Sequence, residues 1–528
     1  MSETGFECAL PEVAADDDPL GGAVGAAVRS RFHVTDGPVR TVDRVWLDTF
    51  DWRLHAAGLR LAYTVGDGAH SLVLGPGAGE SVQRLSAPVH WPSLVEDLPE
   101  GPLRERLRPV AGIRALLPIA DTRSTIHELR ILNAEEKTVV RARVERSASS
   151  PPRLSLVPVR GYARQAERVA TLVAAVPEVA PGSGSDLDAA LATAGRRPGG
   201  EAGPTAIQLR PGQGSADALA RLLLGLLDVV EANVPGTIAD WDTEFLHDLR
   251  VAVRRTRSAL KLAGDALPEG VAKRFAPEFK WLGDLTTPMR DLDTLLLDFD
   301  QLTGELVEAD AADLDAFRAH LQRHRAGERR RLVRGLRSAR FGKLARAWRA
   351  ELTEMLSPSA GEAPESGPAN AEITSDDGPA NAAALAATRL RRAWRRVVRL
   401  GASIAVDAPP QTLHDLRKRC KELRYVLELF GSLYPAGARR PLVKELKVLQ
   451  DCLGAFQDAE VHRDVVRLHA VAMMDAPAAS AATMLAMGEL VARLGRRQRR
   501  AARESVTRFE RFATPRNERR IAIATETP

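Results

Sequence analysis

The sequence predicts a multidomain chain: an α+β N-terminal part rich in antiparallel strand pairs, then an all-α part made of two copies of one helical unit. Three observations carry that reading. Short β-rich segments bounded by turn residues fill roughly the first 180 residues. Apolar residues at three- and four-residue spacing, such as Leu219, Leu222, Leu223, Leu226 and Leu227, take over from about residue 205. Two stretches of the helical part also align at one register without a gap.

The strand segments are 44–47, 58–63, 71–74 and 126–132, and the run 132–137 reads as a hairpin turn. A strand near 153–159 leads into a helix from about 162 to 176. Composition marks 181–204 as a linker and 357–380 as a mobile loop, both rich in Gly, Pro and Ser. The resulting plan is a domain over 1–180, the linker, a helical domain over 205–512 and a polar tail over 513–528. The helical domain divides into copies at 205–356 and 381–512.

The copies are explicit in the sequence. Leu246-His247-Asp248-Leu249-Arg250 recurs as Leu413-His414-Asp415-Leu416-Arg417, an offset of 167 residues. The same offset matches Arg257 with Arg424, Gly264 with Gly431, Pro268 with Pro435 and Asp291 with Asp458. About a third of the positions between 246 and 291 are identical to their counterparts. Each copy offers four helical segments, near 215–233, 242–264, 269–302 and 310–356, then near 380–405, 410–431, 437–468 and 480–510. Four amphipathic helices suffice to enclose a core, so the expectation is two four-helix bundles related by a pseudo-two-fold.

Bulk composition limits the function classes. The net charge of +5 is modest for 528 residues, so any anion site must come from local clustering. Seven Trp and four Tyr do not favour a base-stacking platform. Cys8, Cys420 and Cys452 lie far apart and match no zinc spacing, which predicts reduced thiols, no metal site and no cofactor. No basic-then-apolar leader and no run of 18 apolar residues is apparent, and the expected location is cytoplasmic.

Local clustering is what the repeat supplies. On an ideal helix His247, Arg250, Arg254, Arg257 and Lys261 fall within about an 80° arc. His414, Arg417, Lys421 and Arg424 repeat those angles, with Glu428 in place of Lys261. Leu246, Leu249, Val253 and Leu260, with Leu413, Leu416, Cys420 and Leu427, form the inward flank. Stacked like charges destabilise a helix, so a stripe that repels itself at two homologous places implies an anionic partner. Arginine suits phosphate because its planar fork donates two hydrogen bonds at once. Arg255 and Lys418 adjoin the stripes, and Lys273 and Lys280, matched by Arg440 and Lys447, share a face of the next helix. Arginines also crowd the last helix of each copy, at Arg329, Arg330, Arg331, Arg334 and Arg337, and at Arg496, Arg497, Arg499 and Arg500. Several basic helices converging on one groove suit a linear polyanion better than a small ligand.

The string from His247 to Leu260 resembles the signature of the CHAD family, the conserved-histidine α-helical domain, as do Arg290-Asp291-Leu292-Asp293 and Leu453-Gly454-Ala455-Phe456-Gln457-Asp458. The resemblance covers roughly 205–512. It implies paired helical bundles whose basic residues bind inorganic polyphosphate without catalysis. The segment from Trp46 to Leu61 resembles the Asp-Thr and Gly-Leu-Arg stretch of CYTH domains, which implies an antiparallel barrel or tunnel-like fold. That family opens with Glu-x-Glu-x-Lys, whereas this chain reads Phe6-Glu7-Cys8-Ala9-Leu10. Metal-assisted hydrolysis needs carboxylates for the cation and cations for the phosphates, and both sets look depleted. The leading expectation is therefore a non-enzymatic polyphosphate binder that targets or regulates polyphosphate granules. The alternatives are an active metal-dependent triphosphatase with the helical domain as accessory, and a nucleic-acid-binding module. Oligomeric state is left open, and no membrane partner is expected.

Overall fold

The computed structural model describes residues 6–11, 18–75, 81–148, 150–181, 186–199, 209–356, 381–404, 408–474 and 480–526. The expected loop over 357–380 lies outside them. The chain divides into two compact units, Met1–Gly203 and Pro204–Pro528.

The first unit is built on one antiparallel sheet. Its strands are β1 (Phe6–Ala9), β2 (His33–Thr49), β3 (Arg60–Gly66), β4 (Ala69–Gly75), β5 (Ser81–Leu85), β6 (Leu116–Leu132), β7 (Thr138–Ser147), β8 (Ser150–Pro158) and β9 (Ala180–Pro181). They pair in the order β5-β4-β3-β2-β6-β7-β8-β1-β9, so among the described residues the two end strands do not pair with each other. The ladder is dominated by the 17-residue strands β2 and β6, which pair along their lengths with register shifts near Asp36 and Trp46. Alternation places Leu129 and Ile131 of β6 and Val140, Ala142 and Val144 of β7 in one buried cluster. The expected turn over 132–137 joins β6 to β7, with Asn133 Oδ1 accepting from the amides of Glu135 and Lys137. Asp48 and Thr49 are buried and structural: Asp48 accepts from the amides of Leu54 and His55, both at 2.9 Å, and so caps the short helix Arg53–Ala56.

Within the expected linker, Asp186–Thr193 is a helix. Leu187, Ala190 and Leu191 pack against Trp46, Trp52 and Ile119, and Arg196 lies 5.6 Å over the Trp52 ring. Helical apolar spacing outweighs the Gly/Pro-rich composition around it.

The second unit is helical. Its first four-helix set is Ser215–Ala239, Thr243–Ala263, Val271–Leu297 and Asp315–Leu336, with Ala339–Leu356 continuing after a break. Ser338 makes the break by bonding the Gly335 carbonyl and accepting from the Phe341 amide, so the single segment expected over 310–356 is two helices. The later set is Ala382–Gly401, Pro410–Leu429, Ala436–Met473 and Ala481–Phe512. The 167-residue offset carries into structure: 243 and 410 both open helices, and the 3-10 turns Gly264–Ala266 and Gly431–Leu433 coincide. The expected polar tail instead holds a helix, Pro515–Thr525. It buries Ile521 and Ala524 in the main core, and Glu445 accepts from Asn517 and Arg520.

By length and composition alone the Ser215–Ala239 helix is apolar enough to cross a membrane, although charged residues interrupt it and it holds no run of 18 apolar residues. Half of that window is buried, with Leu219, Leu223, Leu226 and Val230 in the core. That is the surface a bundle's central helix presents.

Candidate polyanion-binding cleft

The two stripe helices, Thr243–Ala263 and Pro410–Leu429, face each other. Asp242 starts the first by accepting from the amides of Glu244 (2.8 Å) and Phe245 (3.2 Å). The predicted flank is inward on both: Leu246, Leu249, Val253, Leu260, Leu413, Leu416, Cys420 and Leu427 are all buried. Packing that flank fixes the azimuth of each helix and turns the two stripes toward one another.

Two ion pairs cross between these helices, Arg255–Glu428 at 2.8 Å and Lys261–Glu422 at 2.7 Å. By the 167-residue offset Arg255 is the counterpart of Glu422 and Lys261 of Glu428, so each position meets the counterpart of its partner. One copy supplies both cations and the other both carboxylates. Glu428 is thus a counter-charge for Arg255, and also for Arg424 at 3.3 Å. Burial pushes the Glu422 carboxyl up, but Lys261 and Arg419 outweigh it and hold it below the usual range.

Inside this clamp the cations crowd. Lys421, half-buried, has its ammonium pushed down to about 7, first by burial and then by Arg417, Arg254 and Arg424. Burial likewise lowers Arg417, and lowers Arg250 to about 10 with help from Arg254, Arg290 and Arg257. Lys421 lies where two clefts meet. One, of about 250 Å³, is bordered by Arg254, Arg257, Lys261 and Lys418; the other, of about 350 Å³, by Arg417, Arg424, Gln450, His462 and Arg497.

Several residues that build the site carried no signal in the stripe pattern. Arg250 donates to Thr286 (3.2 Å) and Thr287 (2.8 Å), and Arg417 reaches Asp458 at 3.9 Å. Asp291 and Asp458 are counterparts in the repeat, and the Asp291 carboxyl is raised mainly by burial and further by Asp458, against the lowering pull of Arg250. Arg257 lies over Gly283, its guanidinium 2.8 Å from where a β-carbon would stand. The counterpart of Gly283 is Gln450, 7% exposed, whose amide nitrogen and oxygen have no hydrogen-bond partner among the described residues. Buried amides are ordinarily satisfied, so the Gln450 amide is an exception in the wall of the cleft it borders. Shared occupancy by Asp291 and Asp458 of matched repeat positions was the one available hint.

The remaining predicted residues scatter. His247 and His414 are half-buried near their helix starts. His414 Nδ1 bonds Gln457 Oε1, and Gln457 in turn donates to Glu460, which places a proton on Nδ1. Lys418 pairs with Asp415 at the cleft rim. Lys280 pairs with Asp284 at 2.6 Å and borders a separate cleft beside Trp281 and Arg331. Lys273, Arg440 and Lys447 are exposed and border neither of the stripe clefts. Among the described residues, no cluster of three or more His, Cys, Asp or Glu side chains suits a metal ion.

The strands of the first unit hold more paired charge than the depleted motifs suggested. Arg44 pairs with Glu145, Arg143 reaches Glu145 at 3.4 Å, Arg40 meets Glu128 at 2.9 Å and Arg153 meets Asp186 at 3.0 Å. These pairs engage the carboxylates, while the Nε atoms of Arg40 and Arg143 stay buried without a partner among the described residues. Glu7 is exposed on β1.

Comparison with known proteins places the helical unit. The family model of the CHAD domain matches residues 221–467. The uncharacterized protein Rv2226 of Mycobacterium tuberculosis strain H37Rv is 29% identical over 233 residues, and the uncharacterized protein MT2285 of strain CDC 1551 is 28% identical over the same length. Each match spans 43% of this chain and 40% of the relative, so it covers well under half of either protein. Among solved structures, the CHAD domain from the plant Ricinus communis is 25% identical with a TM-score of 0.47, covering 58% of this chain and 96% of that one. PptA from Streptomyces chartreusis is 19% identical with a TM-score of 0.39, covering 57% and 100%.

Proposed function

The chain carries a CHAD domain, and on that premise we propose that its helical unit binds a linear polyanion, inorganic polyphosphate, in the cleft between the Thr243–Ala263 and Pro410–Leu429 helices. The observation that carries the reading is the convergence of Arg254, Arg257, Arg417, Lys421 and Arg424 from two helices onto adjoining clefts. Burial, and then the crowding of Arg417, Arg254 and Arg424, lowers Lys421 to about 7, and an anion would relieve the second part of that cost. A chain of phosphates supplies repeated negative charge along the groove, and its affinity rests on counterion release. On this reading the helical unit acts by holding the phosphate chain. We further take the two copies to be related by an approximate two-fold, which the reciprocal ion pairs support. A protein of this kind would sit with polyphosphate granules in the cytoplasm.

The test is titration of polyphosphate into Arg254→Ala/Arg417→Ala/Lys421→Ala. Arg250 is left in place because it also holds Thr286 and Thr287. Affinity should fall at least about a hundredfold, since hydrogen bonds to charged groups contribute roughly 1.5–3 kcal/mol each. Unchanged affinity in a folded variant would overturn the assignment, and preferential binding of DNA or RNA at moderate salt would replace polyphosphate with nucleic acid.

A second reading is favoured by the charge cluster of the first unit. Arg40, Arg44 and Arg143 beside Glu128 and Glu145 are the residue types a triphosphate tunnel uses. We read the unit as related to that fold and catalytically silent, because the same carboxylates are already engaged by those arginines. Orthophosphate release from triphosphate with magnesium or manganese should stay at background; robust turnover lost in Glu145→Gln would reverse this.

A further inference from the structure

Beyond the cleft, the Ala481–Phe512 helix carries a second basic surface. Arg496, Arg499, Arg500 and Arg503 are all exposed and together border a shallow depression with Thr507 and Glu504. At ~100° per residue these four arginines and Thr507 share an arc of about 100°, running about 16 Å along the helix axis. Among the described residues none of the four makes an ion pair, and Glu504 is already held by Arg508 at 2.8 Å. The crowded helix of the first copy differs. There Arg325 is clamped by Asp240 and Asp293, Arg329 donates to the Ile238 carbonyl and reaches Asp240, and Arg331 meets Glu328. Arg325 and Arg329 thus tie that helix to Asp240 and Asp293, whereas Arg496, the counterpart of Arg329, is left in solvent.

The surface is continuous with the cleft. Arg497, on the same helix and about 60° from Arg500, borders the cleft of Arg417, Lys421 and Arg424, and its charge reaches His462 there. A chain leaving the cleft past Arg497 meets Arg496 and Arg500 next, then Arg499 and Arg503.

We propose that the Arg496–Arg499–Arg500–Arg503 face is an extension of the binding track that engages only polyanions long enough to leave the cleft, so that it sets a preference for long-chain over short-chain polyphosphate. The proposal rests on the cleft reading above. A linear polyphosphate fits because its charge repeats along one dimension and needs no base-specific contact, and the face offers guanidinium groups without aromatic rings.

The experiment compares three full-length proteins, each titrated with tripolyphosphate and with long-chain polyphosphate over a range of salt. They are the wild type, Arg496→Ala/Arg499→Ala/Arg500→Ala/Arg503→Ala, and the cleft variant Arg417→Ala/Lys421→Ala. The face variant should bind tripolyphosphate like wild type and lose about tenfold or more for the long chain. Its salt dependence should flatten by about one in slope for each phosphate that the face no longer neutralises. The corresponding four-lysine variant should recover most of the loss. The cleft variant should lose both ligands. Equal long-chain affinity and salt slope in wild type and face variant overturns the extension while leaving the cleft intact. A cleft variant that binds both ligands normally overturns the cleft reading instead. A face variant that loses a single-stranded oligonucleotide but keeps the long polyphosphate assigns the face to nucleic acid, and the proposal fails. All four arginines are exposed, so thermal melts should show that the face variant folds normally.

Discussion

Lys421 is where the tension of the site concentrates. An ammonium held at about 7 against an ordinary value of 10.5 is protonated in the unfolded chain and half-neutral when folded, at neutral pH. The unfolded state therefore binds more protons between about pH 7 and 10, and stability rises with pH across that window. Denaturant melts of the free protein should show that rise, and Lys421→Met should flatten it while raising stability at pH 7. A bound polyanion restores the ammonium, so binding above pH 7 takes up a proton and affinity should fall with pH, at most about tenfold per unit. Calorimetry in buffers of different ionisation heat measures the uptake, and Lys421→Arg should remove it. Pairing of Gln450, whose amide has no partner among the described residues of the free protein, should appear as a ligand-induced shift of its side-chain amide resonances.

At the scale of elements, the relation between helices rests on a few polar clamps over an apolar base. Arg255 and Glu428 are 20% and 28% exposed, so a double-mutant cycle on them should give a coupling on the order of 1 kcal/mol. The clamp of Arg325 on Asp240 and Asp293 is deeper. The Asp293 side chain is fully buried, and Arg325→Met would leave it uncompensated at a cost of about 3 kcal/mol or more. Asp293→Asn in that background should recover part of the loss in urea melts. Close approach matters as well: a β-carbon on Gly236 would stand 2.3 Å from the Phe245 ring, which joins the Ser215–Ala239 helix tightly to the first stripe helix. Gly236→Ala should destabilise by about 1–3 kcal/mol through overpacking.

For the whole molecule, the governing prediction is electrostatic. The net charge is only +5, yet polyphosphate affinity should fall steeply with salt because the cations are gathered in one unit's cleft and on one adjoining helix. A flat salt response would mean that the clustered arginines do not touch the ligand. The helical pattern, the repeat and the inward flank were legible because each follows from residue spacing along one helix. The helix at Asp186–Thr193 and the one at Pro515–Thr525 were misread, since low-complexity neighbours and scattered charges masked Leu187, Leu191, Ile521 and Ala524.

Local periodicity was enough to fix which face of each stripe helix is basic and which is apolar, because 3.6 residues per turn leave no freedom once the flank is buried. It could not reveal that the stripes converge, that Glu422 and Glu428 neutralise Lys261 and Arg255, or that Lys280 belongs to another cleft. Those facts depend on contacts between residues about 160 to 175 positions apart. Charge pairing over that separation is set by how the bundles pack and leaves no mark in the spacing of either helix.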